Sequence, residues 1–423
     1  MIYPDPDPDP DFCGPLAAAI CATFDCAPQT RLGVAVSGGG DSVALLHLLH
    51  DWAQPRGVVL FAVTVDHGLR PESSAEAVQV AAVCAALGVP HDTLHWTGWD
   101  GRGNLPDQAR RARLALMAEW AQARGIASVA LGHTADDQAE TLLMRLARGS
   151  GVDGLSGMAV WRRTQGLAWV RPLLGQSRAA LRSYLRARAI GWVDDPTNDD
   201  LRYDRIKARK ALAVLADLGV GADGLAQTAQ RLAGARAALE RCTDDLAQHC
   251  VQIAQGDVIL AQAGLAAAPL DLQYRLVARA IGWVSSAEYR PRMAAMQAVV
   301  AGLHRGEKAA LGGCLLVPKS GAIRIFREFQ AVRACRAVPG ALWDGRWILR
   351  GPALPDLHIA ALGAAGLAQC IDWRAVGAPR ASLLASPAVW QQNRLISAPL
   401  AGWHQGWQAD LIGLETLFPS LSH

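Results

Sequence analysis

Residues 37–42 read Ser37-Gly38-Gly39-Gly40-Asp41-Ser42. Three successive glycines carry no side chains, so their N–H groups can curl into a nest for an anion. A helix starting here would add the partial positive charge of its N-terminus. Ser37 and Ser42 bring hydroxyl donors. In physical terms this is a phosphate cradle. It has no Gly-Lys-Ser/Thr ending, so it is not a Walker loop, and G-x-G-x-x-G does not fit it. Asp41 would repel bound phosphates unless a divalent cation lay between them, and Mg2+ held by a carboxylate and phosphate oxygens is the usual solution. The same six residues also suit a plain strand-to-helix turn capped by Asp41 or Ser42.

A second concentration of chemistry is Gly132-His133-Thr134-Ala135-Asp136-Asp137-Gln138-Ala139-Glu140-Thr141. As local structure it reads as a helix start, with Asp137 as N-cap and Glu140 three residues on. Asp137, Glu140 and Thr141 share one helical face. Such acids can hold a cation, either a metal or an ammonium group. His133 could contact phosphate, shuttle a proton, or be a satisfied structural histidine. Arg145 and Arg148 follow on the same helix, facing an anionic partner or pairing with the face of Glu140. A third stretch, Asp66-His67-Gly68-Leu69-Arg70, reads as a turn that closes a strand.

The elements that must position these residues alternate regularly. Apolar runs at 31–37, 57–66, 91–96 and 127–133 read as strands. Segments 42–53, 72–88, 104–125 and 136–151 read as helices. Such alternation means βαβ units and a parallel, doubly wound α/β sheet. Ligands in these sheets sit beyond the carboxyl ends of the strands, where all three stretches fall. The expected organisation is a disordered or helical lead-in (1–27), the catalytic α/β domain (28–210), a mainly helical domain (211–325) and a small β-rich C-terminal domain (326–423). Alternating Asp-Pro in residues 5–10 blocks helix formation and predicts disorder there.

The net charge of +3 over 423 residues hides an asymmetry. Residues 1–100 carry −9, residues 101–210 carry +8 and residues 211–423 carry +4. A basic middle suggests an anionic partner or solvated helix faces. The nine cysteines are scattered and include no C-x-x-C pair, which argues against a disulfide framework, a zinc ribbon and an iron–sulfur site. Reduced thiols and a cytoplasmic location are expected. The first residues do not read as a signal peptide, and no apolar stretch is long enough for a membrane span.

Ser-Gly-Gly-x-Asp-Ser after a strand resembles the pyrophosphate loop of the N-type ATP pyrophosphatases. That resemblance implies a doubly wound parallel sheet whose loop, Ser37 to Ser42, grips the phosphates of ATP. It also implies adenine lying along the strand near Val63 and Val65, with Mg2+ at Asp41. LGHTADDQAETLLMRLARGSGVDGLSGM (131–158), with VDHGLR and DDPTNDDLRYDR (194–205), is similar to the tRNA(Ile)-lysidine synthetase family. The likeness covers most of residues 30–210 and continues weakly through 307–318 to the end. In that family the wobble cytidine of a tRNA(Ile) with a CAU anticodon is adenylated at O2, and the ε-amino group of free L-lysine then displaces AMP. The resemblance implies ATP and Mg2+ as cofactors and tRNA as partner. His133, Asp136, Asp137 and Glu140 become the catalytic and lysine-binding candidates. Arg110, Arg113, Arg145, Arg148, Arg205 and Arg209 become candidates for the tRNA, and a homodimer is left open.

Three positions depart from the family pattern. Pro106 stands where Gln or Glu is frequent, Leu114 where Tyr is common, and Ile206 where Asn is frequent. They leave the loop and the acidic cluster intact. The nearest rival, tRNA 2-thiolation, needs a C-x-x-C pair or a persulfide-carrying cysteine that these segments lack. An amidotransferase would need a glutaminase domain or another ammonia source. A non-catalytic RNA-binding module would have no use for Ser37, Asp41, Asp137 and Glu140 together.

Overall fold

The apolar run from residue 31 becomes the centre of a six-stranded sheet. In the computed structural model, which describes residues 14–25, 29–68, 73–97, 105–193, 204–287 and 290–413, the chain divides into two compact units, Met1–Arg236 and Ala237–His423. The expected Asp-Pro lead-in and most of 194–205 lie outside the described residues.

In the first unit, helix α1 (Pro15–Phe24) precedes β1 (Arg31–Ala35), α2 (Gly40–Ala53), β2 (Val59–Asp66), α3 (Ser73–Ala86), β3 (His91–His95), α4 (Leu105–Ala123), β4 (Ser128–Leu131) and α5 (Ala135–Leu146). A short helix α6 (Val152–Leu155), the hairpin β5 (Trp161–Thr164) and β6 (Leu167–Val170), α7 (Arg178–Ala187), α8 (Asp204–Ala216) and α9 (Ala222–Cys250) follow. The strand order is β3-β2-β1-β4-β6-β5, parallel except where β5 pairs antiparallel with β6. The four expected strands and β6 form the parallel part. The β5–β6 hairpin was not among them.

This order fixes where a ligand can sit. From β1 the chain winds outward through β2 and β3, then returns to β4 on the other side of β1. The connections after β1 and β4 therefore part at a switch point, which opens a crevice at the strand carboxyl ends. Helix α2 is apolar almost all round, burying Val43, Leu45, Leu46, Leu48, Leu49 and Trp52, so its N-terminus is held rigidly beneath that crevice. Met117, Trp120 and Ala121 of α4 cover the opposite face of the sheet with Val129 and Trp169.

The division between the units falls within α9. In the second unit β7 (Val251–Ala254), β8 (Asp257–Ala261), β9 (Ala309–Leu311), β10 (Cys314–Lys319) and β11 (Ala322–Arg327) form an antiparallel sheet of order β7-β8-β11-β10-β9. Helices α11 (Leu270–Ser285) and α12 (Met293–His304) pack on it, α10 (Gln262–Ala267) being a short helix before them. The stretch expected to be mainly helical thus mixes helices with five strands. Beyond residue 326, β12 (Leu342–Trp343), β13 (Trp347–Arg350) and β17 (Gln408–Leu411) make one small sheet. Another is formed by β14 (Leu357–Ala361), β15 (Pro387–Gln391) and β16 (Arg394–Ser397).

Candidate active site

A cleft of about 500 Å3 opens at the switch point. The loop after β1 forms its floor. Gly38 takes φ +84, a left-handed conformation that favours glycine, and Gly39 then caps α2, which begins at Gly40. Ser42 locks the turn. Its Oγ donates to the Gly39 carbonyl at 2.9 Å and accepts from the Ser37 N–H at 3.1 Å. Gly132, at the end of β4, lies close beneath: a Cβ there would stand 3.0 Å from the Asp41 carbonyl oxygen and 3.1 Å from Ser42 Cα. Val63 and Val65 line the cleft on β2, beside Thr64, whose Oγ1 donates to the Val36 carbonyl at 2.8 Å.

The N-cap of α5 stands three residues before the Asp137 that the sequence suggested. Thr134 is the N-cap and Asp137 is the third helical residue, closing a capping box. Thr134 is extended (φ −115, ψ 177), the geometry an N-cap needs, whereas Asp137 is already helical. Asp137 Oδ2 accepts from the Thr134 N–H at 2.8 Å, which leaves Oδ1 facing the cleft. Asp136 accepts from the Arg178 N–H at 2.7 Å and so fixes the start of α7.

Three acids meet three arginines here. Arg178 Nε donates to Asp41 Oδ2 at 3.1 Å and its Nη2 donates to Asp137 Oδ1 at 3.1 Å, with Nη1 standing 3.6 Å from Glu140 Oε1. Arg205 donates to Glu140 Oε2 at 2.6 Å and to Asp137 Oδ1 at 2.9 Å. Arg209 donates to Glu140 Oε1 at 2.9 Å. The Glu140 side chain is 1% exposed, whereas those of Arg205 and Arg209 are 38% and 37% exposed. Burial opposes the charge on Arg178, but Asp137, Asp41 and Glu140 outweigh it and raise its pKa. Burial raises the pKa of Asp41, which Arg178 counters.

The remaining candidates divide into two groups. Arg113 lines the cleft, and burial together with Arg110 and Arg205 lowers its pKa. Arg171, at the end of β6, is buried and pushed down to about 10 by burial and by Arg110, Arg162 and Arg113. Within the described residues Arg110, Arg113, Arg162 and Arg171 form no ion pair. His133 sits among them. Burial, then Arg171, Arg205, Arg113 and Arg110, hold its pKa well below the usual histidine value, and its Nδ1 has no hydrogen-bond partner. Arg145 and Arg148 turn elsewhere. Arg145 donates to the carbonyls of Gly154 and Gly157 at 2.6 and 3.0 Å, and Arg148 pairs with Asp204 at 3.3 Å. Neither bonds to Glu140.

Sequence reasoning missed Arg178 and Arg182, which both line the cleft from α7. Arg178 is 137 positions from Asp41, so no local pattern could have joined them. Asp66 closes β2 at the turn expected there, and its carboxylate is satisfied locally: it accepts from the Gly68 N–H at 2.9 Å, from Ser73 at 2.6 Å and from Ser74 at 2.8 Å. Bonds from Ser73 and Gly68 hold its carboxyl below the usual range.

A serine- and glycine-lined loop between a central parallel strand and a helix, at the switch point of such a sheet, defines a PP-loop domain, and the family of that description matches residues 16–215. Over 402 residues the chain is 52% identical to the tRNA(Ile)-lysidine synthase of Ruegeria pomeroyi, covering 95% of this chain and 96% of that protein. The tRNA(Ile)-lysidine synthase of Mesorhizobium japonicum is 39% identical over 390 residues, with 86% and 83% covered. The chain belongs to the tRNA(Ile)-lysidine synthase family. Among solved structures, a U34-tRNA thiolase from Methanococcus maripaludis is 15% identical at a TM-score of 0.45, covering 51% of this chain and 77% of its own, a likeness too low to bear on function.

Proposed function

We propose that this chain ligates free lysine to C2 of the wobble cytidine of tRNA(Ile) with a CAU anticodon. Cytidine O2 attacks the α-phosphorus of ATP and pyrophosphate leaves. The uncharged ε-nitrogen of lysine then attacks C2, the C2–O2 bond breaks, AMP departs with O2, and the nitrogen gives up a proton. The observation that carries this reading is the near full-length identity to a tRNA(Ile)-lysidine synthase. Its companion in the structure is a cleft that joins the Ser37–Ser42 loop, with Asp41, to the buried carboxylate of Asp137.

Each residue has a part in this reading. Gly38, Gly39, Gly40, Ser37 and Ser42 receive the nucleotide phosphates, with the base along Val63 and Val65. Asp41 fits Mg2+, because that ion takes one or two carboxylates and fills its other positions with phosphate oxygens and water. When bound, the ion screens the phosphates from Asp41 and stabilises charge on the leaving pyrophosphate. Asp137 and Glu140 receive the ammonium group of lysine. His133 is kept neutral, so it can accept a hydrogen bond or a proton near the reacting atoms. Arg110 and Arg113 face tRNA phosphate, as do Arg205 and Arg209 once released from the acids. Asp136 acts through the backbone of Arg178. The substrates place the work in the cytoplasm.

Thiolation gains nothing from the structure. Cys84 is buried within α3, where burial raises its thiol to about 11, away from the reactive thiolate form. Among the described residues no cysteine lines the cleft. The direct test incubates the protein with ATP, Mg2+, labelled lysine and tRNA. Label is expected in CAU tRNA(Ile) and not in methionine tRNA. Incorporation without ATP, or none with it, would sink the proposal.

A further inference from the structure

The acids assigned above to lysine are already occupied. Asp41, Asp137 and Glu140 face Arg178, Arg205 and Arg209, so the formal charge of the cluster is zero without any substrate. A lysine ammonium added to it would meet three guanidinium groups. Both oxygens of Glu140 already accept short bonds, at 2.6 and 2.9 Å, and the carboxylate is shut off from solvent by the arginines bonded to it. Lysine therefore cannot reach Glu140 unless Arg205 or Arg209 moves.

We propose that Arg205 and Arg209 are a clamp that closes the lysine pocket in the free enzyme, and that tRNA backbone phosphate opens it by drawing these two side chains away. This rests on the function proposed above and adds an order to it: tRNA first, lysine second. Both arginines project from α8 and are more than a third exposed, so an incoming anion can reach them, and the buried charge they leave on Glu140 is compensated by the ammonium group that enters. Phosphate matches the guanidinium fork as well as a carboxylate does. Beside Arg205 stand Arg110 and Arg113, which offer no carboxylate and leave the surroundings favourable to an anion. Arg178 is the more enclosed of the three, at 19% exposure, and its backbone is tied to Asp136, so it stays with the acids. Once Arg205 and Arg209 leave, one cation faces three carboxylates, and the pocket gains the negative charge that an ammonium group requires.

The test measures lysine binding to the full chain by equilibrium dialysis in the absence of ATP, so that no turnover occurs. Addition of CAU tRNA(Ile) is expected to lower the Kd for lysine at least tenfold. A non-hydrolysable ATP analogue with Mg2+ is expected to leave it unchanged. R205Q/R209Q is expected to bind lysine without tRNA about as tightly as the wild type does with it. Equal wild-type affinity with and without tRNA overturns the clamp, and a tenfold gain with nucleotide alone overturns tRNA as its opener. A double variant that melts normally yet gains no affinity also overturns it. If that variant does not fold, the wild-type comparison decides. Should lysine enter tRNA normally while its Kd ignores tRNA, the clamp fails and the proposed function stands. Should no lysine enter at all, both fail.

Discussion

Single residues set the charges of this site. Asp41 is the acid placed against the phosphate loop, and its ionised form depends on Arg178 because burial opposes it. Asp41→Ala is expected to abolish pyrophosphate release, and near-normal release would refute its role toward Mg2+. For Glu140→Ala, the KM for lysine is expected to rise at least tenfold with ATP binding retained; a change in ATP affinity alone would show that the pocket is wrongly assigned. His133 contributes to the acid limb of stability, beside His47, His67 and His91, which burial also shifts down. Its pKa is lowered on folding, so the unfolded chain binds the proton more readily. Stability is then complete above the unfolded value of about 6.5 and falls as pH drops below it toward the folded value. H133Q should flatten that fall in a series of melting curves between pH 7 and 5, and an unchanged slope would mean that His133 is not neutral in the folded protein.

At the scale of elements, the site depends on how closely the end of β4 approaches the start of α2. Gly132 lets the end of β4 pass the first turn of α2 at a distance where a methyl group would press on backbone rather than on a side chain that could yield. Gly132→Ala is therefore expected to displace the loop and cut kcat at least tenfold with little loss of Tm, and full activity would show that the loop tolerates the shift. The cap of α5 is a separate matter. Thr134 is fully buried and its box with Asp137 satisfies the helix start, so T134A should cost about 1–2 kcal/mol in denaturant unfolding. Elements also show where sequence pattern fell short. The hairpins β5–β6, β7–β8 and β10–β11 each turn at a residue followed by glycine, with both in left-handed conformations: Gln165-Gly166, Gln255-Gly256 and Ser320-Gly321. Such pairs between short apolar runs mark two-residue hairpin turns. At Gln255-Gly256 that signal was outweighed by alanine-rich helical text, and at Gln165-Gly166 the flanking runs are only four residues long, whereas around Ser320-Gly321 the text from about 311 is glycine-rich and reads as strand-like.

For the whole molecule, charge decides the partner. The net charge is small, yet Arg110, Arg113, Arg162 and Arg171 gather on one side of the cleft without an acid among their described contacts, while Arg205 and Arg209 stand beside them on loan to Glu140. Binding of tRNA should therefore weaken steeply with salt. Arg110→Ala and Arg162→Ala should each weaken it and lower the slope of log affinity against log salt by about one. Slopes equal to wild type would remove these two residues from the interface.

The sequence by itself determined what lies within one short segment. The glycines and Asp41 of the loop, the acids from Asp136 to Glu140 and the alternation of strands and helices are all local, because turn geometry, helix periodicity and the chemistry of neighbours act over a few residues. They were enough to identify the α/β class and to single out the loop as a candidate phosphate cradle and the acids as a candidate cation site. Tertiary structure alone decided what those acids touch. Arg178 reaches Asp41 across 137 positions and Arg205 reaches Glu140 across 65, contacts that exist only because the sheet switches direction between β1 and β4 and folds α7 and α8 back over the cleft. A carboxylate looks open in a sequence, since sequence shows its charge but not its counter-ion. The fold supplies the counter-ion, and with it the difference between a pocket ready for lysine and one that must first be opened.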